Sequence, residues 1–405
     1  MSSTFAYNLI ISLLILFSSG CKSKKNITSP DFKQTPVTLT IAAAQFNEYL
    51  PLLKGKKVGM VVNHTSVVGN THLIDTLLRK NVKIQCVFAP EHGFRGDADA
   101  GETINNEKDP LTGLPIYSLH GKTKKPTPQQ LGNLDILVFD IQDVGVRFYT
   151  YISTLHLVME ACAEQNIPLV ILDRPNPNGH YVDGPVLEQS FSSFVGMDPL
   201  PIVHGLTVGE LANMINGEGW LGDNKTCKVH VIKCTNYTHQ TAYEVPIPPS
   251  PNLPNNRAIY LYPSLCLFEG TVVSVGRGTN KQFQQFGHPD FKKGDASFTP
   301  QPNQGAKQPL YEGKTCYGTD LSGTDAAYFY NKREVDLSYL QNFYNSFADK
   351  SIFFNKDNYF DKLAGNDKLR KQIIKGVSEN EIRASWQPML DEYKKMRKTY
   401  LLYAE

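Results

Sequence analysis

Five short, nearly unbroken apolar runs, each ending in polar residues, constrain this chain more than any other feature. They cover residues 58–62, 82–88, 134–139, 168–172 and 229–232. Between them lie stretches with helical periodicity. Residues 71–80 place Leu73, Ile74, Leu77 and Leu78 on one face, residues 151–165 read as a second helix, and residues 207–216 as a third. Thr207 and Glu210 form a capping-box pair at the start of that third helix. Continuous apolar strands alternating with amphipathic helices mean a parallel sheet covered on both faces, an α/β fold.

The segment after residue 245 breaks the pattern. Pro246, Pro248, Pro249, Pro251 and Pro254 exclude a regular helix or an inner strand there. It reads as a crossing between a sheet domain, residues 41–250, and a smaller α+β domain, residues 251–405. The second part is expected to hold a strand over 271–275, Gly-rich loops and three helices. Ser378 and Glu381 form a capping box before the last pair. At the other end, the apolar run 9–17 is too short to span a bilayer and fits a signal peptide, residues 1–20. Ser18-Ser19-Gly20-Cys21 resembles a bacterial lipoprotein signal with Cys21 as the lipidated residue, and residues 21–40 read as a polar tether. That reading makes the chain an exported protein, lipid-anchored in the cell envelope and facing the periplasm. Of the other cysteines, Cys86 and Cys162 sit in apolar segments as buried thiols. Cys227 and Cys234 flank a strand too long for them to bridge.

Ligands of open parallel sheets bind beyond the carboxyl ends of the strands, and those ends carry the polar density here. The first gives Asn63-His64-Thr65-Ser66, the second Glu91-His92-Gly93-Phe94-Arg95-Gly96 with Glu102 beyond. The third gives Asp140 and Asp143 through Arg147, Tyr149 and Tyr151, the fourth Asp173-Arg174-Pro175-Asn176. Carboxylates interspersed with Arg and His suit acid–base chemistry, and hydrolysis of a glycosidic bond needs a protonated carboxylic acid plus a second group that activates water or attacks the sugar. Each residue also has a purely structural reading. Glu91 can pair with Arg95, and Asp143 with Arg147, at i+4 spacing. His64 and His204 can be plain hydrogen-bonding residues, Tyr149 and Tyr151 core aromatics, and Asn176 a turn former.

Other classes lose support. With 41 Lys+Arg against 39 Asp+Glu, the net charge of +2 argues against phosphate neutralisation on nucleic acid. Gly276-Arg277-Gly278-Thr279 lacks the third glycine of a dinucleotide fingerprint, no G-x-G-x-x-G follows the first strand, and no P-loop or G-x-S-x-G elbow occurs. No CxxC or HExxH motif supports a zinc site. No cofactor is expected.

Taken together, the motifs resemble one family. They are Val62-Asn63-His64-Thr65-Ser66, Phe88-Ala89-Pro90-Glu91-His92-Gly93-Phe94-Arg95-Gly96, Asp140 through Tyr151, Leu172-Asp173-Arg174-Pro175-Asn176-Pro177, Val203-His204-Gly205-Leu206-Thr207, Pro249-Ser250-Pro251-Asn252-Leu253, and Phe268-Glu269-Gly270-Thr271 with Gly276-Arg277-Gly278-Thr279. The chain is similar, from about residue 41 to the end, to the NamZ (YbbC-like) exo-β-N-acetylmuramidases. The resemblance implies a Rossmann-like parallel-sheet domain, a smaller C-terminal domain, and a site in the cleft between them. It implies release of N-acetylmuramic acid from the non-reducing end of peptidoglycan fragments (MurNAc-GlcNAc glycan). It makes Glu91 the leading catalytic candidate, with Asp140, Asp143, Glu102 and Glu269 as candidates for the second group. Arg95, Arg147 or Arg277 would clamp the lactyl carboxylate. Asn63, His64, His92, Tyr149, Tyr151, Asn176, His204 and Asn252 would contact the sugar. The competing readings are a non-catalytic cell-wall-glycan-binding lipoprotein and, more weakly, a metal-dependent hydrolase using Glu91, His92, Asp140 and Asp143.

Overall fold

The computed structural model describes residues 38–91, 93–94 and 107–405. Cys21, the apolar run 9–17, His92, Arg95 and Glu102 lie outside the described residues. Thr38–Glu405 forms one compact unit. Its first nine strands are β1 (Lys57–Val62), β2 (Val67–Val68), β3 (Thr71–His72), β4 (Lys83–Ala89), β5 (Glu107–Lys108), β6 (Pro115–Ser118), β7 (Ile136–Asp140), β8 (Leu169–Leu172) and β9 (Val229–Ile232). Seven of them make the main sheet in the order β5-β6-β4-β1-β7-β8-β9, with β2 and β3 as a separate hairpin. From β6 to β9 every pairing is parallel; only the edge strand β5 runs antiparallel. Counting parallel strands alone, the order is 3-2-1-4-5-6 of the Rossmann fold, and it reverses between β1 and β7.

The two faces of the sheet bury alternate residues. Val58, Met60 and Val62 of β1 pack with Tyr49 and Leu53 of α1 (Phe46–Leu53) and with Leu73, Ile74 and Leu77 of α2 (Leu73–Arg79). Val61, Phe88, Leu137 and Phe139 face the other way, toward the core that includes α4 (Tyr151–Gln165) and α5 (Val208–Gly217); α3 (Pro128–Leu131) lies at its margin. That second core does not stop at the sheet. It continues without a break through α6 (Asn256–Leu265) into the C-terminal half, down to Trp386 and Tyr393. The capping boxes foreseen at Thr207/Glu210 and Ser378/Glu381 both form, and all six described cysteines are free and buried.

The C-terminal half departs from the sequence expectation in three respects. Residues 271–275 are not a strand: Thr271 bridges Phe354 and Ser274 bridges Gly287, so the segment passes between two partners without pairing along either. The sheet there is instead antiparallel, β10 (Gln285–His288), β12 (Cys316–Asp320) and β11 (Ala296–Phe298) in that order across it. Five helices follow rather than three: α7 (Ala326–Lys332), α8 (Ser338–Ser346), α9 (Tyr359–Ala364), α10 (Lys368–Ile374) and α11 (Glu379–Arg397). The second capping box therefore opens a single 19-residue helix, not a pair. Three of the five helices have six or seven residues, too short to show a 3.6-residue period.

The proline-rich segment crosses the carboxyl edge of the sheet. The Pro248 carbonyl lies 2.8 Å from His64 Nε2, and the Pro249 carbonyl accepts from the hydroxyls of Tyr149 (2.8 Å) and Tyr151 (3.2 Å). It thus covers the strand ends where a Rossmann fold holds its ligand, at the reversal of strand order. Below it, the β1 and β7 ends are tied to each other: the Gln142 amide donates to Thr65 Oγ1, and the Ser66 hydroxyl to the Asp140 carbonyl.

Candidate active site

Two carboxylates share one cavity. Glu91 follows β4 at the carboxyl end of the sheet, and Glu269 comes from the turn after α6; both line a cavity of about 280 Å³. Thr150, the residue just before α4, donates its hydroxyl to Glu91 Oε2 at 2.8 Å and so orients that carboxyl group. Across the cavity, Arg277 donates Nε (2.8 Å) and Nη2 (2.7 Å) to Glu269 Oε1. Burial works to lower the Arg277 pKa, but the Glu269 charge outweighs it and the net shift is upward. Arg277 also stacks 5.2 Å from the Phe283 ring centre. Tyr359 lies within the field of both carboxylates: burial first, then the charge of Glu269 and, more weakly, of Glu91 hold its hydroxyl un-ionised.

The rest of the wall is aromatic and amide. Tyr149, Tyr151 and Tyr262 meet edge to face, with ring centres 4.9 and 5.9 Å apart. Burial raises the pKa of all three, so they act as neutral hydroxyls. Asn252 is 1% exposed; its Nδ2 donates to the Gly305 carbonyl at 2.6 Å, while its Oδ1 accepts from no group among the described residues. Such an acceptor in an aromatic-lined cavity suits a sugar hydroxyl or amide N–H.

The comparisons agree with this architecture. The family model for exo-β-N-acetylmuramidase NamZ matches in two parts, its N-terminal part over residues 58–257 and its C-terminal part over residues 260–403. The chain belongs to the NamZ family. It is 38% identical, over 98% of both chains, to the peptidoglycan β-N-acetylmuramidase NamZ of Bacillus subtilis. Two solved structures of DUF1343 family proteins from Bacteroides fragilis share the fold. One has a TM-score of 0.85 at 48% identity, covering 91% of this chain and all of that one. The other has a TM-score of 0.76 at 30% identity, covering 90% and 99%.

In this chain the structure brings six of the expected site residues onto the cavity wall: Glu91, Tyr149, Tyr151, Asn252, Glu269 and Arg277. Others it turns inward. Asp140 ends β7 and is fully buried, held by Arg174 through Nε–Oδ1 at 2.5 Å and Nη2–Oδ2 at 2.9 Å. Asp143 does not pair with Arg147. Its Oδ2 accepts from the Gly145 amide at 2.6 Å, and burial lifts its pKa to about 7 against that bond. Arg147 points into the interior, 0% exposed, and donates to the carbonyls of Pro185, Leu200 and Leu363. It joins the two halves of the chain and is out of reach of a ligand carboxylate.

Four more are structural by their contacts. Asn176 donates to the Leu206 carbonyl and accepts from the Asn178 amide. It also explains Gly145: with φ at +76°, a Cβ there would lie 2.0 Å from Asn176 Oδ1, so no side chain fits. His204 is buried with a pKa pushed down to about 3 by burial, then by Arg397 and Arg147, and its Nδ1 accepts from the Leu206 amide. Asn63 is buried, its Oδ1 taken by Thr65, and His64 serves the Pro248 carbonyl.

The cavity also contains residues the sequence reading did not single out. Thr150 and Ser250 lie within the motifs, beside residues with stronger chemistry. His120, Lys124, Phe194 and Tyr359 come from loops and a short helix outside them. Among the described residues no group of three or more His, Cys, Asp or Glu is arranged to hold a metal ion.

Proposed function

We propose that the chain is an exo-acting glycoside hydrolase that removes β-linked N-acetylmuramic acid from the non-reducing end of peptidoglycan fragments, with Glu91 as the acid. The observation that carries the assignment of residues is the pairing of Glu91 and Glu269 on one aromatic-lined cavity. Of the five carboxylates the sequence offered, Asp140 and Asp143 are committed inside the fold and Glu102 lies outside the described residues. The volume of about 280 Å³ lies at the small end for ligand sites and suits one terminal sugar better than a threaded polymer.

In the reaction, Glu91 gives its proton to the glycosidic oxygen as the C1–O bond breaks, and positive charge spreads over C1 and the ring oxygen. Glu269 supplies the negative charge facing that cation, and the components of water end on C1 and on the regenerated acid. Arg277 keeps Glu269 in position through its two hydrogen bonds. Tyr149 and Tyr151 present neutral rings to the apolar face of the sugar.

The chain is further proposed to be exported and lipid-anchored at Cys21. The apolar run 9–17 and the small residues before that single cysteine support the reading. Among the described residues no helix is long and apolar enough to cross a membrane.

Incubation with a defined MurNAc-GlcNAc oligosaccharide and analysis of products over time tests the activity. Free N-acetylmuramic acid should appear, at one equivalent per chain with a non-reducing-end muramic residue, and release should stop at the N-acetylglucosamine then exposed. Internal cleavage into shorter oligosaccharides, without free monosaccharide, would overturn the exo assignment.

A further inference from the structure

N-Acetylmuramic acid differs from N-acetylglucosamine by a lactyl ether and its carboxylate. Selecting it requires a cation where water is partly excluded, because a desolvated carboxylate left unpaired is strongly disfavoured. Two lysine or arginine side chains among the described residues line the cavity, Arg277 and Lys124. Arg277 already has two of its donors on Glu269. Lys124 makes no ion pair among the described residues. It is half-buried, and its Nζ rests 4.1 Å from the centre of the Phe194 ring, on the same cavity wall.

The loop that carries Lys124 is held at both ends. Before it, the Leu119 amide donates to the Ala89 carbonyl, beside Glu91. After it, Thr127 and Gln130 close a capping box on α3. The adjacent Lys125 turns to the outside of α4, where it pairs with Glu160 and Glu164. Of two consecutive lysines, one anchors the loop and the other faces the cavity. His120 lines the same wall, with a buried Nδ1 that has no hydrogen-bond partner among the described residues.

We propose that Lys124 is the specificity residue that receives the lactyl carboxylate, resting on Phe194 until substrate arrives. The ring is a weak partner for an ammonium group, and a carboxylate is a stronger one, so transfer from one to the other is downhill. This inference rests on the glycosidase reading of the same cavity.

The test compares three aryl β-glycosides: of N-acetylmuramic acid, of its lactyl methyl ester, and of N-acetylglucosamine. Lys124→Met keeps the apolar stem and removes the charge. Loss of one charge-assisted hydrogen bond predicts a fall in kcat/KM for the free acid of roughly 10- to 100-fold, mostly in KM. The ratio of free acid to ester should collapse by the same factor, and Lys124→Arg should recover much of it. A general loss of structure would lower all three substrates together and leave the ratio where it was; thermal melting of each variant separates that case. A wild-type ratio retained in folded Lys124→Met overturns the proposal alone, as does a wild type indifferent to the lactyl group. A wild type that turns over none of the three overturns the glycosidase reading, and this inference with it.

Discussion

Replacing Asp140 by Asn should cost stability and leave chemistry largely intact. The wild-type carboxylate and the Arg174 guanidinium are both essentially excluded from water and meet in a two-point contact of 2.5 and 2.9 Å. Asn keeps the shape and one acceptor but leaves the guanidinium uncompensated in the interior. Breaking such a buried pair costs about 3–5 kcal/mol. Unfolding entropy of roughly 2 cal/mol/K per residue, over a chain of this length, converts that into a fall in Tm of about 4–6 °C. Differential scanning calorimetry of wild type, Asp140→Asn, Arg174→Met and the double variant measures it. The double variant should be less destabilised than the sum of the singles, because it removes the orphaned charge. Hydrolysis by Asp140→Asn, assayed well below its melting temperature, should stay within a few-fold of wild type. Unchanged melting with a loss of kcat by orders of magnitude would refute the reasoning and return Asp140 to the reaction.

Asp143 offers a pH signature. Its folded pKa is raised to about 7 by burial, so its contribution to stability is fully present below the unfolded pKa of about 4 and is lost as pH rises through 7. Asp143→Asn should therefore gain in stability relative to wild type between pH 5 and pH 8, by at most roughly 3 kcal/mol, with Tm rising accordingly; a difference that stays flat across that range would contradict it. Arg147→Met strands the carbonyls of Pro185, Leu200 and Leu363 and should lower the denaturant midpoint by about 3 kcal/mol or more of stability. The variant's preference for the free lactyl acid over its ester should survive, whereas selective loss on the acid would place Arg147 at the substrate.

The sheet was legible because β1, β4, β7 and β8 are apolar through most of their length, which marks strands buried on both faces, and the half-buried edge strand β9 keeps three apolar residues of four. β6 was missed for a physical reason. It is a four-residue strand, Pro-Ile-Tyr-Ser, opened by proline and near the sheet edge, with half its residues only partly buried. The antiparallel strands of the C-terminal half were equally silent: β10 reads Gln-Phe-Gly-His, with no alternation of polar and apolar residues. Within the site, motifs marked the right loops and did not say which way each side chain points. Glu91 follows β4 and Asp140 ends β7 of the same sheet, yet one faces the cavity and the other meets Arg174 in the interior. Tyr149 and Arg147, two residues apart, likewise divide between cavity and core. Lys124 and Tyr359 left no signal, because a loop lysine and a tyrosine on a six-residue helix gain meaning only when the chain brings them to Glu91 and Glu269.

The central claim, that Glu91 is the acid of a muramic-acid-specific glycosidase, is tested most directly by chromophore release from an aryl β-glycoside of N-acetylmuramic acid. The aryloxide should be a poor leaving group, so that its protonation matters. Wild type should turn the substrate over, and Glu91→Gln, which keeps the shape and the Thr150 hydroxyl beside it, should lose kcat by at least 100-fold. Turnover that survives in Glu91→Gln would move the acid to another carboxylate. A wild type that binds the glycoside without cleaving it would contradict the enzyme reading and leave a wall-glycan-binding protein in its place.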